Sequence, residues 1–265
     1  MNTPKHLIST LFILIIFVLI SSCTAVKKEW AHRERQKLGA SVYEQIRESE
    51  IPWRILTQSV EGRDIYLTEM GQGDSLTLIF GGFHGSEISG VQLVHQFAEH
   101  LYAENIGAIT SRVVIVPVLN PDGLVVARRQ NANGIDINRN FPTENWDASM
   151  GSGRNSHGTI PGSEPETQIA MELLEIYMPD RIISVHAPLR VVNYDGPAAA
   201  VSRKMAEYNH YPVDSDIGYA TPGSFGTYAG KERNIPTITL ELPPGLFTEE
   251  VWLTNRDALL AAIKF

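Results

Sequence analysis

From about Ile51 onward, apolar runs of strand length alternate with longer stretches of helical period. Few architectures accept that alternation, because each helix must lay an apolar stripe on a sheet and each strand must find cover; it predicts a layered α/β domain. Residues Ser75–Phe83, Arg112–Leu119, Arg181–His186 and Thr237–Leu242 read as strands, each β-branched or aliphatic and bounded by Gly, Pro or Asp. Ile88–Ala103 reads as a helix, with Val91, Val94, Phe97, Ala98 and Leu101 at the three-four spacing of a buried face, and Pro165–Tyr177 reads as another. The second carries a start signal: Ser163 and Glu166 stand as the S-x-x-E of a capping box, and Pro165 suits a first turn, where its missing N–H is not needed. Between Asn131 and Ser163 runs a long segment rich in Gly, Asn and Ser, and loops of that length are usually functional or mobile. The expected fold class is α/β, a single domain with a central mixed β-sheet flanked by helices.

At 265 residues the chain can bury the core of one large domain. A net charge of −8, with no cluster of Lys and Arg, leaves no basic surface for gripping phosphates, so nucleic acid is not an expected partner. Residues 1–22 form a separate unit in which Lys5 and His6 precede an apolar run from Leu11 to Ile20, too short to span a membrane and of the form of a signal peptide. Ile20-Ser21-Ser22-Cys23 resembles a bacterial lipobox, which makes Cys23 the expected lipidated N-terminus. Acyl chains there would anchor the protein to a membrane facing the periplasm, in the cell envelope, and Thr24 after the cysteine resembles outer-membrane sorting. Cys23 is also the only cysteine, which excludes an intrachain disulfide and a cysteine zinc cluster. Residues 23–50, rich in Lys, Glu, Arg and Gln, read as a solvated helical or flexible tether ahead of a domain spanning 51–265.

The predicted strand Ser75–Phe83 runs into Gly81-Gly82-Phe83-His84-Gly85-Ser86-Glu87. A histidine and a carboxylate three residues apart in a glycine-rich turn are either incidental polar residues of a loop or half of a metal site. Zinc takes imidazole nitrogen and carboxylate oxygen in a tetrahedral shell, and a catalytic zinc leaves one position open for water. His186, at the end of the apolar run Arg181-Ile-Ile-Ser-Val-His, is the candidate third ligand, since strands of such sheets present functional loops at these ends. Spacing alone leaves both readings open.

Five motifs taken in order narrow the choice: the glycine-rich turn, Asn120-Pro121-Asp122-Gly123, Gly134-Ile-Asp-Ile-Asn-Arg-Asn-Phe141, Ser184-Val185-His186 and Thr239-Leu240-Glu241-Leu242. The chain from about Ile51 to its end resembles the zinc carboxypeptidases of the metallocarboxypeptidase superfamily. Arg129-Gln-Asn-Ala-Asn-Gly, Pro161-Gly-Ser-Glu-Pro-Glu-Thr and Gly218-Tyr-Ala-Thr-Pro-Gly-Ser-Phe-Gly look most like its murein peptide amidase A group, which cuts the γ-D-glutamyl to meso-diaminopimelate (Dap) bond of peptidoglycan peptides. The resemblance implies a zinc carboxypeptidase-like fold and one zinc ion held by His84, Glu87 and His186. It implies that Asp136 orients a ligand imidazole, a role that metal-bound histidines generally require. Glu241 becomes the general base that takes a proton from zinc-activated water and returns it to the departing amine. Arg129 becomes the oxyanion donor, with Arg128 as the competing assignment. Asn138 and Arg139 would bind the substrate's terminal carboxylate, a planar bidentate task suited to guanidinium. Tyr219 matches a tyrosine on a loop that folds over substrate, and Tyr228 is its nearby competitor.

The chain departs from that group in having Ala187 where an acidic residue is expected, and in its lipoprotein start, which suits an enzyme meeting peptidoglycan directly. The expected function is zinc-dependent removal of terminal Dap from stem tripeptides. The alternatives are a carboxypeptidase acting on other C-termini, as an LD-carboxypeptidase or protein peptidase, and a non-catalytic peptidoglycan-binding lipoprotein. An N-acyl amino acid deacylase fits less well, given the Tyr219 loop and the Asn138-Arg139 pair.

Overall fold

The computed structural model describes residues 5–104 and 111–265, with side chains described from Val26 on. The central strands are β3 (Leu76–Phe80), β4 (Arg112–Val116), β5 (Arg181–His186) and β8 (Thr237–Glu241), which run parallel in the order β4-β3-β5-β8. Every residue of β3 is buried, as are all but the first of β4 and β5, the pattern of strands covered on both faces. Side chains alternate between two cores: Ile79, Ile115 and Ile183 enter one, Leu78, Phe80, Val114 and Ile182 the other.

Antiparallel strands extend both sides: β2 (Asp64–Met70) pairs with β4 and β1 (Arg54–Gln58) with β2, while β6 (Val191–Asp195) pairs with β8. A short β7 (Val213–Asp214) runs parallel to β6 and completes a mixed eight-stranded sheet. The expected α/β single domain with a mixed sheet is therefore what the chain forms.

One core lies beneath α2 (Ile88–Ala103), α5 (Ala199–Asn209) and α6 (Glu249–Ile263), whose Leu93, Phe97, Met205 and Leu259 are buried against it. The other is closed by α4 (Pro165–Tyr177), through Ile169 and Leu173, and by the aromatic group Phe83, Phe141, Phe225 and Tyr228. Emptying either core is costly; replacing a fully buried phenylalanine such as Phe97 with alanine costs about 3–5 kcal/mol.

The capping box at α4 does not form. Glu164, not Ser163, holds the N-cap position, in extended conformation and without a side-chain cap. The Ser163 hydroxyl donates instead to Glu164 Oε1 at 2.6 Å, and Glu166 turns inward to accept from Asn131 Nδ2 at 3.0 Å. Pro165 does open the helix.

Residues read as a tether belong to α1 (Lys5–Glu48), and from Leu38 on its apolar side packs onto the body. Val42, Tyr43 and Ile46 are buried with Val91, Val118 and Leu124 of the short helix α3 (Pro121–Val125), and the Tyr43 hydroxyl donates to the Asp64 carbonyl at 3.0 Å. Among the described residues no helix is long and apolar enough to cross a membrane. The expected lipidation residue, Cys23, lies outside the described side chains.

Candidate metal centre

The reactive residues sit where the parallel strands end. The turn after β3 carries His84 and Glu87, His186 is the last residue of β5, and Glu241, the last of β8, is its direct partner in register. Two glycines shape the turn for different reasons. Gly82 has φ +63°, which glycine adopts freely, whereas Gly85 lies so near the Gly123 backbone that a Cβ would fall 1.9 Å from the Gly123 carbonyl carbon. The Asn120-Pro-Asp-Gly motif braces that approach: Asn120 Nδ2 donates to the carbonyls of Phe83 and Arg129, and its Oδ1 accepts from the Gly123 amide. Asp122 faces elsewhere, accepting from Ser59 and Arg63.

Glu87 stands at the N-cap of α2 but does not cap it. Its carboxylate is committed to the histidines, with Oε1 at 2.8 Å from His84 Nδ1 and Oε2 at 3.0 Å from His186 Nδ1, and Oε2 also accepts from the Ala187 amide. The two imidazole Nδ1 atoms are 3.2 Å apart, and Phe83 stacks on the His186 ring. A tetrahedral shell with zinc–ligand bonds of about 2.0–2.1 Å has edges of roughly 3.3 Å, so the two Nδ1 atoms have the spacing of one edge of such a shell, with the Glu87 carboxylate beside both.

The tautomer supports the same assignment. His84 Nε2 is 3.0 Å from Asp136 Oδ1, an atom that can only accept, so Nε2 carries a proton, and Nδ1 offers Glu87 a second proton when no metal is bound or its lone pair to a cation. A lone pair 2.8 Å from a carboxylate oxygen repels unless a proton or a cation lies between. The donor set fits a zinc ion: two imidazoles and a carboxylate, buried or nearly so, facing a cavity.

Burial works to raise the Glu87 and Asp136 carboxyls, but the facing His84 charge and its hydrogen bonds hold both far below the usual carboxylate range, with help from His186 on Glu87 and from Arg129 and Arg139 on Asp136. Glu241 behaves in the opposite way. Burial and the nearby Glu87 push its carboxyl up despite His186, and its Oε2 accepts from the Leu189 amide at 3.3 Å.

The remaining expected residues surround a cavity of about 300 Å³ that opens onto these groups. Arg129 Nε donates to Asp136 Oδ2 at 2.8 Å and Nη1 reaches Glu87 Oε1 at 3.4 Å, whereas Arg128 turns away to the Asn131 carbonyl. Arg139 lines the cavity with 7% of its surface exposed and, among the described residues, forms no ion pair. Asn138 Oδ1 accepts from the Phe225 amide at 2.8 Å and so ties this segment to the loop that bears Tyr219. Tyr219 is 55% exposed at the cavity edge, while Tyr228 is buried in the aromatic core under Arg233. Within the long Asn131–Ser163 segment, the buried Asn140 amide donates to the carbonyls of His157 and Ile160 and fixes its return.

Sequence reasoning missed the far wall of the cavity. Asn193, Asp195 and Thr239 line it, with Asn193 paired to Thr239 across β6 and β8. The signal was present: Asn193 and Asp195 are two apart in Val191-Val-Asn-Tyr-Asp195, the period that puts both on one strand face. Gly226 makes room for Asp195, since a Cβ there would meet Asp195 Oδ2 at 2.1 Å.

Parallel central strands that gather two histidines and a glutamate at their carboxyl ends, beside an arginine-lined cavity, form the arrangement of a zinc-dependent hydrolase. The family model described as zinc carboxypeptidase matches residues 49–200, and the chain belongs to that family and is a hydrolytic enzyme. Among its relatives, murein peptide amidase A of Vibrio campbellii is 33% identical over 200 residues, covering 68% of this chain and 74% of the relative. The Escherichia coli K12 protein of the same name is 35% identical over 178 residues, 63% of this chain and 71% of the relative. The crystal structure of murein-tripeptide amidase MpaA from Escherichia coli O157 superposes with a TM-score of 0.67 at 27% identity, over 82% of this chain and 94% of that one. Bovine thrombin-activatable fibrinolysis inhibitor, at 18% identity, shares the fold with a TM-score of 0.70 over 88% of this chain and 94% of that one.

Proposed function

We propose that the protein hydrolyses the amide between γ-D-Glu and terminal meso-Dap in peptidoglycan stem tripeptides. The observation that carries this reading is the charge arrangement of the cavity. Arg139, buried and without an ionic partner among the described residues, calls for an anion at one end, the place for the terminal carboxylate. Asp195 lines the same cavity, its carboxylate also paired with Lys231 at 3.1 Å, and offers an acceptor to the ammonium of a Dap side chain. The murein peptide amidase relatives support the same substrate class.

His84, Glu87 and His186 would hold one zinc ion, which when bound polarises the scissile carbonyl and acidifies water. Asp136 keeps the His84 proton on Nε2 and so keeps Nδ1 available. Glu241, with a raised carboxyl pKa, accepts the proton of the attacking water and passes it to the leaving Dap amine. Arg129, held by Asp136, directs its remaining N–H groups at the negative charge that develops on the carbonyl oxygen. Asn138 and Arg139 orient the terminal carboxylate, and Tyr219 offers its hydroxyl from the cavity edge. The lipobox at Cys23 supports an envelope location, with the enzyme anchored next to its substrate.

The test is incubation of the zinc-loaded full-length protein with tripeptide and tetrapeptide muropeptides, beside Glu241→Gln, with products read by mass spectrometry. Free Dap from the tripeptide alone, reduced by on the order of a hundredfold or more in the variant, is the expected result. Release of D-Ala from tetrapeptide would make it an LD-carboxypeptidase, and zinc binding without any release would make it a binding protein.

A further inference from the structure

A second cavity, of about 270 Å³, adjoins the first and shares Glu87, Arg154, Ala187 and Pro188 with it. Its walls come from five separate parts of the chain: α1, the turn and start of α2, Arg154, Ala187-Pro188 after β5, and the segment between β8 and α6. Leu38, Ile88, Leu246 and Phe247 give it an apolar wall, beside the polar side chains of Ser86, Ser89 and Gln92. Its charged lining residues are Arg35, Glu87 and Arg154, and Glu87 is already engaged by two imidazoles. The cavity is therefore positive. Arg35 donates one N–H to the Ser86 carbonyl, which fixes the guanidinium beside the metal turn and leaves other donors free. Arg154, exposed and shared with the first cavity, has no side-chain hydrogen bond or ion pair among the described residues.

A substrate whose terminal residue fills the first cavity and whose scissile amide lies at Glu87 and Glu241 must continue over Ala187 and Pro188 into the second. In a γ-linked D-glutamyl residue the scissile carbonyl is followed by methylenes and then by the carbon that bears a free α-carboxylate. An α-linked peptide has no carboxylate fixed at that place. We infer that the second cavity is the acyl-side subsite, with its apolar wall against the methylenes and Arg154 and Arg35 binding the free α-carboxylate of γ-linked D-Glu. The inference rests on the amidase reading above and adds to it the recognition of the residue on the other side of the bond.

The experiment compares L-Ala-γ-D-Glu-meso-Dap with the same tripeptide carrying an α-carboxamide on D-Glu, using zinc-loaded full-length protein, Arg154→Ala, Arg35→Ala and Arg154→Lys. The ratio of kcat/KM between the two substrates is the readout, because a general loss of folding or of metal lowers both alike. The expected wild-type ratio favours the free acid by on the order of tenfold to a hundredfold, the range of a hydrogen bond to a charged group. It falls toward one in both alanine variants and is partly kept in Arg154→Lys. A wild-type enzyme that cleaves both substrates equally, or alanine variants that keep the wild-type ratio, would overturn the inference and leave the amidase reading standing. A wild-type enzyme that cleaves neither would remove both.

Discussion

Asp136 joins His84 through a 3.0 Å hydrogen bond from a ring nitrogen to a carboxylate that is fully buried. The same carboxylate holds Arg129 through its other oxygen, so one side chain sets both the tautomer of a metal ligand and the aim of the guanidinium. Asp136→Asn should weaken zinc binding by about tenfold to a hundredfold, the usual effect of losing such a partner. Competition with a chromogenic chelator measures this directly. Unchanged affinity would mean that the imidazole is oriented by something else.

Asp195 is assigned to the Dap ammonium, and Asp195→Asn keeps its shape while removing its charge. For the Dap tripeptide, kcat/KM should drop by about tenfold or more, chiefly through KM, because the contact lies away from the reacting carbonyl. Steady-state kinetics on the tripeptide, set against a peptide ending in an uncharged residue, gives the comparison. An equal loss on both substrates counts against a selective contact.

Glu166 is a buried carboxyl whose pKa burial pushes up to about 7, with Oε2 bonded to Asn131 and Oε1 without a partner among the described residues. The folded state therefore holds a proton that the unfolded chain has lost, and stability falls as pH rises from the ordinary glutamate value through about 7. Below that window the group adds no pH-dependent cost; above it, the buried charge costs on the order of 3 kcal/mol. Glu166→Gln should flatten this part of the stability profile and gain most at alkaline pH. Urea unfolding of both proteins at several pH values would reveal parallel curves if Glu166 were not the cause.

Membrane attachment through Cys23 is tested by fractionating cells that express the protein and Cys23→Ala, with radiolabelled palmitate as a tracer. The wild-type chain should enter the membrane fraction with label and the variant should carry none. A labelled variant would place the acyl chain elsewhere.

The residues that could hold a metal were legible because their chemistry is tied to position. His186 ends an apolar strand whose limits, Arg181–His186, are those of β5, and α2 and α4 also begin and end where periodicity put them. What stayed hidden depended on partners distant in sequence. Glu166 looks like a cap residue until Asn131 draws it inward, and Val42 and Ile46 look like parts of a solvated stretch until α3 covers them. The short β6 and β7 mix polar and apolar residues, so neither an unbroken apolar run nor a long alternation announced them, and Asp195 was overlooked with them. Arg154 carries no local signal at all; only the meeting of two cavities singles it out.

The pairing of His186 with Glu241 on neighbouring central strands has an evolutionary consequence. A slip of one residue in either strand would turn its reactive side chain to the opposite face, so the sheet cannot be retuned without losing the chemistry. The lining contributed by the Tyr219 loop and the N-terminal helix is under no such constraint. Descendants of this scaffold can exchange substrates by altering those walls while the chassis beneath them stays fixed.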